Sequence, residues 1–469
     1  MFSFWQSFIL KNSKLLSLFD YFNVNKKYLT STQVSNFLSK NEQTFASNCG
    51  SKSFEVNINQ IAANKPIEDV ISNTRFNING AFSLFGIYDG HGGNYCAQSL
   101  SQRLFDYIYI SLLDEQQLTE KLQILDKTLS QKEIHYKNVL NAIFDNRVDN
   151  ILPNSNQYYR LSSTHLYSIR NYIKTRLKEQ VKKFDLDNIS KSISEAFCTL
   201  DNDMGSEMKT DITNLKVSLS GSCANVACLF NDNKETHLFI SNCGDCRAMM
   251  GSRQSDQLLI SPLSVDQNAS NATEVERIMS QHPKSESKYI ILQERLLGTL
   301  IPLRCFGDFM LKLSRENFNI VLNLMMKNKK IDKFNVDDIV PIQSKTPPYL
   351  TAKPEIVHKK ITKHDCFLII ASDGIWETMR TENIMHLVNG HIMSKEIPDS
   401  FQPDDETLSV IHQRLSQRNK LETSYENDNY CTNVIRHCLG YNHGAISDIL
   451  SKPYRRNYMD DMSVVIIKF

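Results

Sequence analysis

The chain has 469 residues, 41% of them hydrophobic, with 53 Lys and Arg against 52 Asp and Glu. A net charge of +1 excludes the extended basic footprint of a nucleic-acid binder and the polybasic face of a membrane-surface protein. No uncharged apolar run reaches the roughly 18–20 residues that a membrane span needs. Eleven scattered cysteines, an odd number, suit reduced thiols better than a secreted disulfide framework.

The first stretch, "MFSFWQSFILKNSKLLSLFD", is apolar-rich, carries Lys11 and Lys14, and has no acid before Asp20. Acid-poor amphipathic sequence of this kind is typical of organelle-targeting segments. Residues 1–27 are therefore expected to be an address segment, with an ordinary packing helix as the alternative. Residues 28–469 read as one domain. Glu68-Asp69 open "IEDVISN". Next comes "FSLFGIYDGHGG", residues 82–93, where an apolar run meets Asp89-Gly90-His91-Gly92-Gly93. Taken alone, Asp-Gly after a strand is a hairpin turn. From Ala97, Leu100, Leu104, Ile108 and Leu112 share one helical face, as do Ile193, Ala196, Phe197, Leu200 and Met204 further on. Residues 114–190 between them read as a polar, largely helical insertion with weak strand signals.

Strand-like runs then recur: "CANVACLF", "THLFISNC", "CFLIIAS" and the final "MSVVIIKF". They do not alternate regularly with helices, so two antiparallel sheets covered by helices, an α+β fold, are expected. Asp89, Asp245, Asp373 and the pair Asp460-Asp461 all stand at strand ends, and Glu68-Asp69 stand at a strand start. Gathered at one rim, such carboxylates would repel one another unless cations held them. An all-oxygen ligand set favours hard ions, Mg²⁺ or Mn²⁺, and a two-metal hydrolase is the chemical reading. Gly90 can bring its carbonyl close to a metal without a side chain in the way. Cys243-Gly-Asp-Cys246 lacks the second pair that a zinc site would need. No P-loop and no G-x-S-x-G nucleophile elbow is present.

The stretches "FGIYDGHGG", "SGSCANVACLF", "FISNCGDCRAM", "IPLRCFGDFMLK", "FLIIASDGIWETM" and "DDMSVVIIKF" follow one another in this order. In them the chain resembles the metal-dependent type 2C protein serine/threonine phosphatases. The resemblance implies a central antiparallel β-sandwich flanked by helices, with two Mg²⁺ or Mn²⁺ ions and a weaker third at one end. It implies Asp89 as the bridging ligand, the Gly90 carbonyl beside it, Asp373 and Asp460 on one ion, and Glu68 on the other. Asp245 and Glu377 match the third-ion positions, and His91 the general acid. The resemblance also implies a metal-bridging hydroxide as the nucleophile, attacking in line, with no phosphoenzyme.

Generic members carry an Arg, which grips the substrate phosphate, where this chain has Asn64; Asp461 stands for a common Asn and Cys246 for a common Ser. These departures, with "YLTSTQVSNFL", "HPKSESKYIILQERLLGTLIPLRCFGD" and "TPPYLTAKPE", resemble the pyruvate dehydrogenase phosphatase branch of the family. That branch implies phosphorylated pyruvate dehydrogenase as substrate, the dihydrolipoyl acetyltransferase core and a regulatory subunit as partners, and the mitochondrial matrix as location, with the cytoplasm as the alternative. A related phosphatase with another phosphoprotein target, or an inactive scaffold of the same fold, are the alternatives.

Overall fold

The computed structural model describes residues 28–130, 143–144, 148–152, 163–179, 184–255, 257–327, 336–396 and 427–469. The expected address segment lies outside them, as does part of 114–190. The strands described are β1 (Gln43–Cys49), β2 (Lys52–Ile61), β3 (Val70–Asn77), β4 (Ala81–His91), β5 (Val148–Leu152), β6 (Gly221–Asn231), β7 (Thr236–Cys243) and β8 (Arg247–Gln254). They continue with β9 (Gln257–Pro262), the two-residue β10 (Ile291–Leu292), β11 (Arg295–Leu296) and β12 (Phe306–Gly307), then β13 (Glu355–Lys360), β14 (Asp365–Ala371) and β15 (Met462–Lys468).

One antiparallel sheet has the order β1-β2-β15-β14-β8-β9, and a second runs β13-β7-β6-β4-β3-β5 with β12 joined to β6. The sheets stack face to face, and each carries helices on its outer side, which explains the unbroken apolar runs. In β4, Phe82, Leu84 and Tyr88 face the helices while Phe85 and Ile87 face the other sheet. In β15, Val464 and Ile466 face outward under helices while Val465 and Ile467 enter the inter-sheet core. A strand buried on both faces has no polar side to alternate.

The helix Tyr95–Leu112 lies on the second sheet through Leu100, Leu104, Ile108 and Leu112, beside Ile189–Glu207 with Ile193, Phe197 and Leu200. The helices Thr381–Glu396 and Tyr430–Cys438 cover the first sheet through Ile384, Val388, Val434 and Ile435. The expected helix–sheet–sheet–helix layering is the observed one. Within 114–190 the described residues include the helices Glu115–Leu129 and Ser163–Lys178 and the strand β5, which pairs with β3. The first of these helices starts at a capping box formed by Asp114 and Gln117.

The hairpin turn that Asp89-Gly90 suggests when taken alone is not formed. β4 runs on through Asp89↔Cys223, Gly90↔Ser222 and His91↔Gly221 against β6. The chain then turns at Gly92 (φ 67°) and Gly93 (φ 112°), conformations that favour glycine, and enters the helix Tyr95–Leu112. All eleven cysteines are free thiols, and among the described residues no helix is long and apolar enough to cross a membrane.

Candidate active site

Strand ends from both sheets meet at one rim. β4 delivers Asp89, the turn between β7 and β8 delivers Asp245, and β14 passes through Ser372 into the helical turn Asp373–Trp376. Asp460 and Asp461 immediately precede β15. A carboxylate oxygen from each of Asp89, Asp245 and Asp373 lies within 4.8 Å of the other two. The backbones converge so closely that two positions admit no side chain. A Cβ on Gly90 would lie 2.4 Å from the Glu68 carbonyl oxygen, and one on Gly374 would lie 2.2 Å from that of Asp461.

This convergence has an electrostatic consequence. Burial, and then the charge of Asp373 and of its neighbours Asp69, Asp245 and Asp460, push the Asp89 carboxyl well above its ordinary pKa. Burial does the same to Asp373, helped by Asp245 and Asp460, and raises Asp245. Asp69, 1% exposed, is pushed up by burial and then by Asp461. Oδ2 of Asp89 and Oδ2 of Asp69 are buried with no hydrogen-bond partner among the described residues. Orphaned acceptors in such a cluster cost free energy that a divalent cation would offset. The donors are all oxygen, which fits Mg²⁺ or Mn²⁺.

The remaining expected residues surround this triad. Glu68 Oε1 accepts from the Gly93 amide at 2.6 Å, and the Glu68 amide donates to Asp461 Oδ2 at 2.8 Å. Burial raises the Glu68 carboxyl despite the Gly93 bond. Asp460 lies outside the tight triad, acts on Asp89 and Asp373 by charge, and is paired with Arg456. Glu377 is exposed and adds its charge beside Asp373. Asn64 Nδ2 donates to Asp461 Oδ2 at 3.0 Å, so its amide is committed within the protein.

His91 Nε2 stands 2.6 Å from Asp308 Oδ2. Burial alone would lower the imidazole pKa, but the charge and hydrogen bond of Asp308 outweigh it and the pKa is raised. Asp308 reaches this place with left-handed backbone (φ 47°) just after β12. Gly221 makes room for the pair, since a Cβ there would fall 2.1 Å from His91 Nε2 and 2.2 Å from Asp308 Oδ2. Cys305 Sγ also donates to Asp308 Oδ2, at 3.3 Å.

Asp308 has a place in this arrangement that the sequence does not assign, while Asp69 and Asp461, expected only as members of the carboxylate rim, have specific ones. Asp69 carried a signal in its adjacency to Glu68, and Asp308 in the Gly-Asp of "RCFGDF". Asp461 accepts four hydrogen bonds, from the amides of Ala63, Asn64 and Glu68 and from the Asn64 side chain. Its only signal was the run of two acids.

A family model for protein phosphatase 2C matches residues 155–428, a span that includes Asp245, Asp308 and Asp373. Over 480 residues the chain is 33% identical to mitochondrial pyruvate dehydrogenase (acetyl-transferring) phosphatase 1 of Homo sapiens, covering 95% of this chain and 84% of that protein. It is 32% identical to the human phosphatase 2 of the same name, covering 88% of this chain and 77% of the other. Identity to the Saccharomyces cerevisiae phosphatase 1 is 26%, over 94% of this chain and 73% of the other. The chain thus belongs to the protein phosphatase 2C family of metal-dependent protein serine/threonine phosphatases.

Proposed function

We propose that this phosphatase removes phosphate from phosphorylated pyruvate dehydrogenase in the mitochondrial matrix, with residues 1–27 as its address segment. The observation that carries the catalytic part is the convergence of Asp89, Asp245 and Asp373 beside a histidine held by a carboxylate. The substrate and the location rest on the names of relatives that match along nearly the whole chain.

Two ions would be held by Asp89, the Gly90 carbonyl, Glu68, Asp373 and Asp460, and a weaker third by Asp245 and Glu377. When bound, they supply Lewis acidity toward the phosphoryl group and the attacking water. The chain's own residues do the rest. Asp308 takes Nε2 of His91, and Nδ1 has no hydrogen-bond partner among the described residues. His91 in its imidazolium form therefore presents Nδ1–H to the departing serine or threonine oxygen. Asp461 fixes the 63–68 segment and so aims Glu68. With Asn64 bound to Asp461 and uncharged, affinity is drawn from contacts remote from the phosphate. The described residues of the segment 292–355 and the acetyltransferase core that presents the substrate supply them.

Phosphate release from phosphorylated pyruvate dehydrogenase tests the reading. Activity should require Mg²⁺ or Mn²⁺, and Asp373→Asn should lower it at least ~100-fold, because one anionic ligand contributes several kcal/mol of charge stabilisation. Near wild-type turnover of that variant at saturating metal would overturn the assignment. Melting temperature gives a readout without substrate. Raised carboxyl pKa values mean that protons occupy the metal-free cluster above the ordinary carboxylate range, and a cation must displace them. The rise in melting temperature caused by Mg²⁺ should therefore be larger at about pH 8 than at about pH 6. Full activity on a generic phosphoprotein with none on pyruvate dehydrogenase would overturn the substrate alone.

A further inference from the structure

We infer that His91, Cys305 and Asp308 form an inhibitory transition-metal site, of the zinc type, beside the proposed Mg²⁺ centre. His91 Nε2, Cys305 Sγ and a carboxylate oxygen of Asp308 all lie within 4.8 Å of one another. Two of the three distances are already short, 2.6 Å from Nε2 to Oδ2 and 3.3 Å from Sγ to the same oxygen. None of the three belongs to the Asp89, Asp245 and Asp373 group, and the donor chemistry differs. One nitrogen, one sulfur and one oxygen form a set that Zn²⁺ prefers and Mg²⁺ does not.

The positions are set by backbone. Asp308 is turned toward His91 by its left-handed φ, and β12 is anchored to Gly221 and Ser222 at the start of β6. Cys305 is fully buried and Asp308 5% exposed, while the His91 side chain is 22% exposed, so of the three only His91 meets solvent appreciably. Burial, and then the charge of Asp308, keep the Cys305 thiol well above its ordinary pKa, so the thiolate forms only when a metal takes the proton's place.

Three bonds form to the ion, the Cys305 thiol loses its proton to water, and so does the Nε2–H that binds Asp308. His91 becomes a neutral, metal-bound imidazole. It then has no readily released proton for a leaving alkoxide, so zinc here stops turnover without displacing Mg²⁺. This consequence rests on the proposed role of His91, whereas the site itself does not.

Cobalt provides the probe, because thiolate ligation to Co²⁺ produces a charge-transfer band in the near ultraviolet. The full chain, saturated with Mg²⁺, should show that band on titration with Co²⁺. Cys305→Ala and Cys305→Ser, the second preserving side-chain size, should lose it. Zinc sensitivity is read against each variant's own Mg²⁺-dependent rate, so that any loss through the hydrogen bond from Cys305 to Asp308 is divided out. The zinc concentration giving half inhibition should rise at least ~10-fold, a typical effect of damage to a metal site. A band that is absent from wild type, or that survives both substitutions, would overturn the site. Unchanged zinc sensitivity in the variants would overturn its inhibitory role and move zinc to the carboxylate cluster. A chain with no phosphatase activity on any substrate would defeat the proposed function and still leave the cobalt band to be read.

Discussion

His91 is the residue whose chemistry depends most on a single partner. A charge-assisted hydrogen bond to a nearly buried carboxylate is among the stronger polar contacts a protein makes, and here it fixes both the ring and its protonation. Asp308→Asn keeps the size and removes the charge. It should slow hydrolysis of a phosphoserine protein by about 10²-fold, within the range assigned to general acid catalysis, and His91→Gln should do so more strongly. An aryl phosphate, whose leaving group hardly needs a proton, should suffer far less in both variants. Equal losses on the two substrates would make the pair structural, a brace for the Asp89 strand end. The partner was illegible beforehand because it lies 217 residues away in sequence. Local pattern can nominate a histidine after Asp-Gly, but not the carboxylate that a sheet brings to it.

At the level of elements, five strands were readable as apolar runs, and the shorter or more polar ones, such as β1, β9 and β13, were not. β14 and β15 announce themselves as unbroken apolar runs because both of their faces are buried. β4 does so equally, yet Asp-Gly at its end imitates a turn, and only pairing with β6 shows that the strand continues to His91. The loop before β3 was the least legible part. Ala63, Asn64 and Glu68 hang on Asp461, 393 to 398 residues away. Asp461→Asn would turn an amide NH₂ toward donors at one of the two carboxylate positions, leaving buried groups unpaired. The Mg²⁺ concentration for half activation should therefore rise ~10-fold, with turnover at saturating metal reduced much less, because the change reaches the metal through Glu68. Metal dependence identical to wild type would separate Asp461 from the site.

The whole molecule offers a protein substrate more than its catalytic rim. Three apolar layers, one between the sheets and one under each helical cover, account for the buried core. Yet Tyr289, Ile301, Ile320, Leu324 and Ile342 remain exposed on the segment between the helix Ala272–Gln281 and β13, Ile342 at 79%. Arg304, Cys305 and Asp308 of the same segment lie next to His91 or lead into it, so a partner resting there would reach the rim. A short phosphopeptide can use little of this surface, and the uncharged Asn64, tied to Asp461, gives its phosphate no guanidinium grip. Remote contacts raise reactivity when they are realised along with the transition state. kcat/KM on phosphorylated pyruvate dehydrogenase, carried on its acetyltransferase core, should therefore exceed that on an isolated phosphopeptide by roughly two orders of magnitude, about 2.7 kcal/mol. Ile342→Asp and Ile301→Asp should lower the protein rate and leave the peptide rate unchanged, so that the ratio falls. Asn64→Arg should narrow it from the other side by improving the peptide. Comparable rates on the two substrates in matched metal would mean that the exposed side chains do not dock pyruvate dehydrogenase, and that the natural substrate is a different phosphoprotein.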